Sequence, residues 1–566
     1  MFLSWLDWLA TAGNRLARRL NDFTHRQLLT GLILFFACWR FLTLDLIEKS
    51  GDAVWKWSFL RYYAVSGIWY PDTPDHHQGR WGLNLPVYAL MKLFGTSWWV
   101  YYIYPLLTAL GCAILAYWIA AKLRSKAAGV ATFLLICFFP HTVRESTQFL
   151  PMMPATFYML GAIVLLLRHL KTGALMPLFW SGLLAGISYG CKFTSLYWAA
   201  AFGLYLLLYP VEKREYFRVW KFHVGPAAFC FSAGLLLVLV LETVLLDAFF
   251  GVTGGRVEVI LGSHLSQPGT SQYLGIGGYL LSFFRPLEFS GKYFQSGPVI
   301  LLFCGVIPMV ILQLKKGCPP GRRLLAFSFM TAYLLHCYVV YKIFPFLHPE
   351  KVILRYYLLL MVVGILILTT GWDEAAAGLR RFLSRRKVLL LQTTYLSAIF
   401  VLVLIRVGNQ WQHGNHPYGL FRMQKNFTAA QQQNLPVLNR IRDRRELREN
   451  QLSTADYKYG NMFLTMWGPA ERLPEHNSRN PLLVEDAEGK IWEVLMRPEQ
   501  LPVPGTPCKV LLLDQESSRI ETREFQKRPR YLRPQDHDNA AFSEPNARTL
   551  NVFSTITQPV AEHSST

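Results

Sequence analysis

Eleven apolar runs, each 15 to 23 residues long, divide this chain and leave few folds open to it. They fall at roughly 28–46, 98–120, 127–141, 152–168, 177–191, 193–210, 226–247, 297–314, 324–342, 355–371 and 388–407. A bilayer crossing takes about 20 apolar residues. Inside lipid every backbone N–H and C=O must find a partner within the protein, so runs of this kind are helices. The composition agrees: 52% of residues are hydrophobic and only 16% charged. The expected fold class is a mainly α polytopic membrane protein with about 11 transmembrane helices.

Charge sets the orientation. The loops AAKLRSKA, RHLKTG, VEKREYFRVWK, QLKKGCPPGRR and GLRRFLSRRK are short and basic. With the N-terminus inside, all five are cytoplasmic, as the positive-inside rule requires. An odd number of spans then places the C-terminus outside. The formal charge of +21 therefore meets lipid head groups and not nucleic acid, because the basic residues sit between apolar runs.

This scheme divides the chain into four parts. Residues 1–27 read as a cytoplasmic amphipathic segment, with Arg15, Arg18, Arg19 and Arg26 following an apolar start, which is not the order of a cleavable signal. Residues 28–407 form the transmembrane domain, with large external loops at about 47–97 and 248–296. Within these loops FLRYYAVSGIW and LPVYALMKLFG read as helices lying on the membrane, and YLGIGGYLLSFFRPLEF as a further interfacial helix or a flap. Residues 408–525 read as a small external α/β domain: NRIRDRRELREN as a charged helix, KIWEVLM and CKVLLLD as strands. Residues 526–566 are a polar tail. Seven of the nine cysteines lie in or beside apolar runs, and no disulfide framework or metal-ligand spacing emerges.

Ionisable groups in or beside spanning helices are costly and mark function by default. Here they gather on the external side. The cations are Lys56, Arg80, Arg144, Lys192, Arg285, Lys292, Lys351 and Arg355, with His76, His77, His141 and His348 among them. The acids are Asp52, Asp75, Glu145, Glu288 and Glu350. Many cations and few acids suit a phosphate-bearing ligand, since Arg and Lys can hold a phosphate leaving group. One acid among them could deprotonate an attacking hydroxyl or amine. Asp52 also has a plain reading as the N-cap of AVWKWSFLRYY, and the two roles are compatible at the positive end of a helix. Arg355 at a helix start opposes the dipole, which favours a functional role. His348-Pro349-Glu350 lacks the spacing of a zinc motif. No Gly-rich nucleotide loop follows a strand, which argues against a Rossmann-type nucleotide-sugar enzyme.

The order GDAVWKW, YYAVSGIWYPDTP, RWGLNLPVYALMKLFG resembles the first external loop of GT-C glycosyltransferases of the protein O-mannosyltransferase class (family 39). Lipid A aminoarabinose transferases belong to the same superfamily. SGLLAGISYGCKFTSLYWAAAFGLYLL is similar to that family's "G-L-hydrophobic-Lys-x-Thr" hairpin, and LRYYLLLMVVGILIL to its "R-Y-L-L-P" helix. The resemblance spans residues 28 to 407. It implies a polyprenyl-phosphate-linked sugar donor, a lipid, glycan or protein acceptor, and an inverting transfer with Asp52 as general base. It also implies Lys192 and Arg355 facing the lipid phosphate; Arg80, Arg144, Arg285 and His348 are further phosphate-binding candidates by their place among the external ionisable residues. Two departures stand out. Ala53 replaces the second acid of the usual Asp-Glu pair, which leaves Asp75, Glu145 and Glu350 as candidates for a second carboxylate, and the proline expected after Tyr357 is missing. HPEK is similar to the "His-Lys-Glu" loop of family 22 mannosyltransferases. No cofactor is required by the sequence; a divalent cation held by Asp52 with Asp75 or Glu350 is compatible with it. The compact loops point to a bacterial inner membrane with the site on the periplasmic face, an endoplasmic reticulum membrane being the alternative. A lipid-linked sugar transporter or flippase is the competing function. It would place charges midway through broken helices, whereas these cluster at one face.

Overall fold

The computed structural model describes residues 15–44, 79–96, 99–208, 224–250, 271–284, 297–315, 317–339, 346–349 and 357–412, four strands within 483–525, and the single positions 12, 53, 56, 57, 60 and 64. Each apolar run is helical where it is described. In chain order the helices are α1 His25–Leu42, α2 Trp81–Phe94, α3 Val100–Leu123, α4 Lys126–Phe138, α5 Pro140–Glu145, α6 Met152–Thr172, α7 Met176–Cys191, α8 Ser195–Leu208 and α9 Gly225–Phe250. Then come α10 Ile276–Leu281, α11 Gly297–Gln313, α12 Pro320–Tyr338, α13 Leu358–Leu379 and α14 Arg385–Gln412. Among the described residues three are long and apolar enough to cross a membrane: α3, α6 and the Gly225–Leu245 part of α9. Five shorter apolar helices join them, within α4, α8, α11, α13 and α14.

The chain folds as two compact units. The first comprises residues 1–45, 71–86 and 102–417 and holds the helical core. Local chemistry fixes its helix ends. Thr24 and Gln27 form a reciprocal capping box at the start of α1, the Thr24 hydroxyl taking the Gln27 N–H and the Gln27 side chain taking the Thr24 N–H. Pro140, with extended Phe139 before it, separates α4 from α5 inside what the sequence reads as one span, 127–141. Gly173, at φ 71°, closes α6 in the left-handed conformation that glycine adopts without strain.

Helices α7 and α9 cross at backbone contact. Gly182, Gly186 and Gly190, spaced by four, form one face of α7; Gly182 meets the backbone of Phe231, and Gly186 meets Val238. Gly234 of α9 meets the backbone of Phe179 in return. Small residues at such a seam let dispersion and backbone contacts act where lipid offers no hydrophobic drive. The opposite face of α9 exposes Phe229, Leu236, Leu237, Val240 and Leu241, as a lipid-facing surface does.

Strands β1 Ser271–Leu274 and β2 Phe346–Pro349 pair antiparallel, with Gln272 opposite His348. This ribbon ties the segment read as the second external loop to the residues ahead of α13, and the described part of YLGIGGYLLSFFRPLEF runs from the end of β1 through α10 to the 3-10 turn Ser282–Phe284.

The second unit comprises residues 46–70, 87–101 and 418–566. Ala53, Lys56, Trp57, Leu60 and Ala64 are helical and buried at helical spacing, so the first-loop helix expected after Asp52 has one packed face. Trp57 packs edge-on against Tyr101, and Lys92 donates to Ala64 O over 2.7 Å. The strands β3 Leu483–Glu485, β4 Ile491–Val494, β5 Cys508–Asp514 and β6 Ile520–Phe525 form an antiparallel meander in chain order. KIWEVLM and CKVLLLD thus contain strands, as read; the helix read in NRIRDRRELREN lies outside the described residues.

Candidate active site

The site is built from helix ends of the first unit. Cys191 ends α7, and Lys192 caps it with extended backbone, its N–H donating to Ser188 O over 3.0 Å. Backbone bonds from Ser195, Leu196 and Tyr197 then turn the chain into α8. The Ser188 hydroxyl donates to Ala155 O over 2.7 Å and stands 2.8 Å from the Ser195 hydroxyl, which donates back to Ser188 O. All of these groups are buried, so the turn carrying Lys192 is stapled to α6 by bonds that water does not compete for.

Against this turn lies the start of α2. The carbonyl of Arg80 receives the N–H groups of Leu83 and Asn84, which sets Arg80 at the positive end of the helix. Arg80 is buried, as is Asn84. A cation there opposes the helix dipole, the same conflict read in the sequence for Arg355. Gly82 packs on the end of α7: a Cβ on it would stand 2.8 Å from Cys191 Sγ. Trp81 lays its ring on Gly190, where a Cβ would come within 2.5 Å of it, and its indole N–H donates to Glu242 Oε1 of α9 over 2.8 Å. Tyr104 of α3 donates to Gly82 O over 2.9 Å and neighbours Tyr158 of α6. Two cations 112 positions apart in the chain, Arg80 and Lys192, are therefore carried by backbone segments in direct contact.

His336 lies near the end of α12. The His336 ring meets Tyr197 edge-on at 4.8 Å and Tyr357 at 5.2 Å. Tyr357, buried, stands immediately before α13. On α5, Glu145 is buried, Arg144 is exposed and His141 lies between these extremes. At the C-terminal end of α1, Arg40 is 2% exposed; its guanidinium lies over the Phe36 ring, and Nε and Nη1 make no hydrogen bond.

The residues expected from sequence thus divide. Arg80 and Lys192 come together. Arg144 and Glu145 sit on one short helix, and His348 lies on β2 opposite Gln272. Asp52, Asp75, Arg285, Glu350 and Arg355 lie outside the described residues. Among the described residues no group of three or more His, Cys, Asp or Glu could hold a metal ion. Sequence reading missed Glu242, Trp81, His336 and Arg40. Glu242 had a signal, since it is a lone acid in the apolar run GLLLVLVLETVLL.

Residues 86–239 match the family model of dolichyl-phosphate-mannose-protein mannosyltransferases. The match takes in Arg144, Glu145 and the Lys192 turn and stops three residues short of Glu242. It bears out the resemblance to the protein O-mannosyltransferase class read in the Lys-Thr hairpin, while GDAVWKW and YYAVSGIWYPDTP lie ahead of the matched residues. No curated protein matches the chain in sequence. Among solved structures, the chain is similar to the ArnT of Cupriavidus metallidurans bound to undecaprenyl phosphate, at 12% identity and TM-score 0.45, over 72% of this chain and 80% of that one. It is similar to the oligosaccharyltransferase of Archaeoglobus fulgidus, at 12% identity and TM-score 0.41, over 68% and 56% of the two chains. It is also similar to the arabinosyltransferase EmbB of Mycobacterium smegmatis, at 13% identity and TM-score 0.43, over 88% and 48%.

Proposed function

We propose that this chain, whose residues 86–239 match the family model of dolichyl-phosphate-mannose-protein mannosyltransferases, is an integral-membrane glycosyltransferase. It moves a sugar from a polyprenyl phosphate to an acceptor at the external membrane face, in a bacterial inner membrane the periplasmic one. The observation that carries this reading is the contact between the start of α2 and the end of α7, because it gathers Arg80 and Lys192 beside a helix N-terminus.

The chemistry follows from those groups. Asp52 takes the proton of the acceptor hydroxyl or amine as its oxygen or nitrogen bonds to the anomeric carbon. The bond from that carbon to the phosphate oxygen breaks on the opposite face, which inverts the configuration. Negative charge grows on the departing polyprenyl phosphate, and Arg80 and Lys192, with Arg355 and Arg285 as further candidates read from the sequence, stabilise it more in the transition state than in the bound donor. Ala53, Lys56, Trp57, Leu60 and Ala64 are helical and buried, which suits the reading of Asp52 as an ionised carboxylate near a helix start.

The test is transfer by the full chain in nanodiscs, supplied with polyprenyl phosphates carrying radiolabelled sugars. Wild type should release free polyprenyl phosphate in an acceptor-dependent way, and Asp52→Asn should not. Movement of the intact donor across the bilayer without release would instead establish the flippase reading.

A further inference from the structure

Glu242 is an acid in the apolar helix α9, whose opposite face exposes Phe229, Leu236, Leu237, Val240 and Leu241. A carboxylate at such a depth is expensive to place. It is 4% exposed and accepts the indole N–H of Trp81 over 2.8 Å. The surrounding geometry shows why the acid is there. The glycine stripe of α7 brings α9 to backbone contact at Gly182 and side-chain contact at Gly186. At the third glycine, Gly190, the partner is not α9 but the ring of Trp81. The indole thus fills the level at which the two helices would next meet, flat on Gly190 and bonded to Glu242.

Trp81 immediately follows Arg80, and Gly190 stands two positions before Lys192. The start of α2 is fixed a second time by Tyr104, through Gly82 O. We infer that Glu242 and Trp81 are positioning residues: their bond holds the start of α2 against the end of α7 and thereby sets the spacing of Arg80 and Lys192 for a lipid phosphate. The indole is a donor only, and a carboxylate accepts more strongly than a neutral group. Neither residue touches the reacting atoms. This inference rests on the phosphate-binding role proposed for Arg80 and Lys192.

The experiment measures binding of undecaprenyl phosphate to the full chain in nanodiscs, alongside thermal unfolding. Trp81→Phe keeps a ring on Gly190 and removes only the N–H; Glu242→Leu removes the acceptor; Glu242→Gln keeps one. Trp81→Phe and Glu242→Leu should each weaken binding about tenfold, the loss of one charged hydrogen bond. The double variant should be no weaker than Glu242→Leu alone, because the Trp81 N–H loses this role once its acceptor is gone. Glu242→Gln should stay within about threefold of wild type, since a neutral acceptor recovers part of the bond. Unfolding at lower temperature with undecaprenyl phosphate binding unchanged would overturn the inference and leave a purely structural bond. Additive losses would overturn it as well. Wild type that fails to bind undecaprenyl phosphate would remove the functional reading itself, and with it the inference.

Discussion

Gly182 of α7 and Phe231 of α9 meet backbone to backbone: a Cβ on Gly182 would overlap the carbonyl oxygen of Phe231. Gly234 repeats the relationship from the other side, against Phe179. The seam between these helices therefore depends on two missing methyl groups. Gly182→Ala should destabilise the fold by about 1–3 kcal/mol or more, because a packed backbone does not yield as a flexible side chain does. Gly203, on α8, has nothing within 4 Å of its Cβ position. Gly203→Ala should be neutral or stabilising by up to about 1 kcal/mol from helix propensity. Thermal unfolding in one detergent checks both, and equal effects at the two positions would refute the backbone seam.

The turn that carries Lys192 makes a second prediction. Ser188→Ala removes the bond to Ala155 O and the contact with the Ser195 hydroxyl, and leaves each of these buried groups one partner short. A loss of about 1–3 kcal/mol in stability should follow. Sugar transfer should fall further than stability does, because the freed turn no longer fixes the ammonium. Ser188→Cys, which retains a weak donor, should lie between the two. Transfer at the wild-type rate in a measurably destabilised Ser188→Ala chain would separate the turn from the chemistry.

Much of this arrangement was legible in the residues themselves, and the limits are physical. Apolar length set each helix, since the bilayer leaves the backbone no other choice, and the Lys192 turn followed from a polar hairpin between two apolar runs. The break at Pro140 was hidden because the hydrophobic run continues through it. The pairing of Gln272 with His348 joins segments 76 positions apart, and nothing local in either announces a strand partner. Glu242 and Trp81 are 161 positions apart and become a pair only through the glycine seam, which sequence periodicity shows on α7 without naming its partner. Arg40 reads as an ordinary residue near a helix end until its burial is known.

At the opposite end of the helices, Arg322 makes a fork. Its Nε and Nη2 donate to Leu123 O over 3.2 and 3.0 Å, and its Nη1 pairs with Glu374. The two halves should differ in weight. The carbonyl end of α3 has no other way to gain two guanidinium bonds, and a lysine cannot supply that planar geometry. Arg322→Lys should cost about 1–2 kcal/mol. Glu374 is 44% exposed, so Glu374→Gln should cost well under 1 kcal/mol. Unfolding of both variants at low and high salt checks this: the Glu374 effect should vanish with salt, and the Arg322 effect should persist.

His25, at the start of α1, supplies the pH dependence. Its ring stacks on Trp118 at 4.6 Å, and Nδ1 lies 2.8 Å from the Tyr117 hydroxyl. Burial against these rings, with the Lys126 and Lys122 ammonium groups nearby, holds its pKa below the usual 6.5. The folded state therefore binds a proton less readily than the unfolded chain. The stability due to His25 is fully present above pH 6.5 and is lost as pH falls through the depressed folded value. His25→Phe keeps an aromatic ring against Trp118 and has no charge to gain. The unfolding temperature of wild type should drop between pH 7.5 and pH 5 by more than that of His25→Phe, with the difference concentrated at the acid end. Parallel curves for the two chains would show that the imidazole does not titrate against the lysines as its surroundings require.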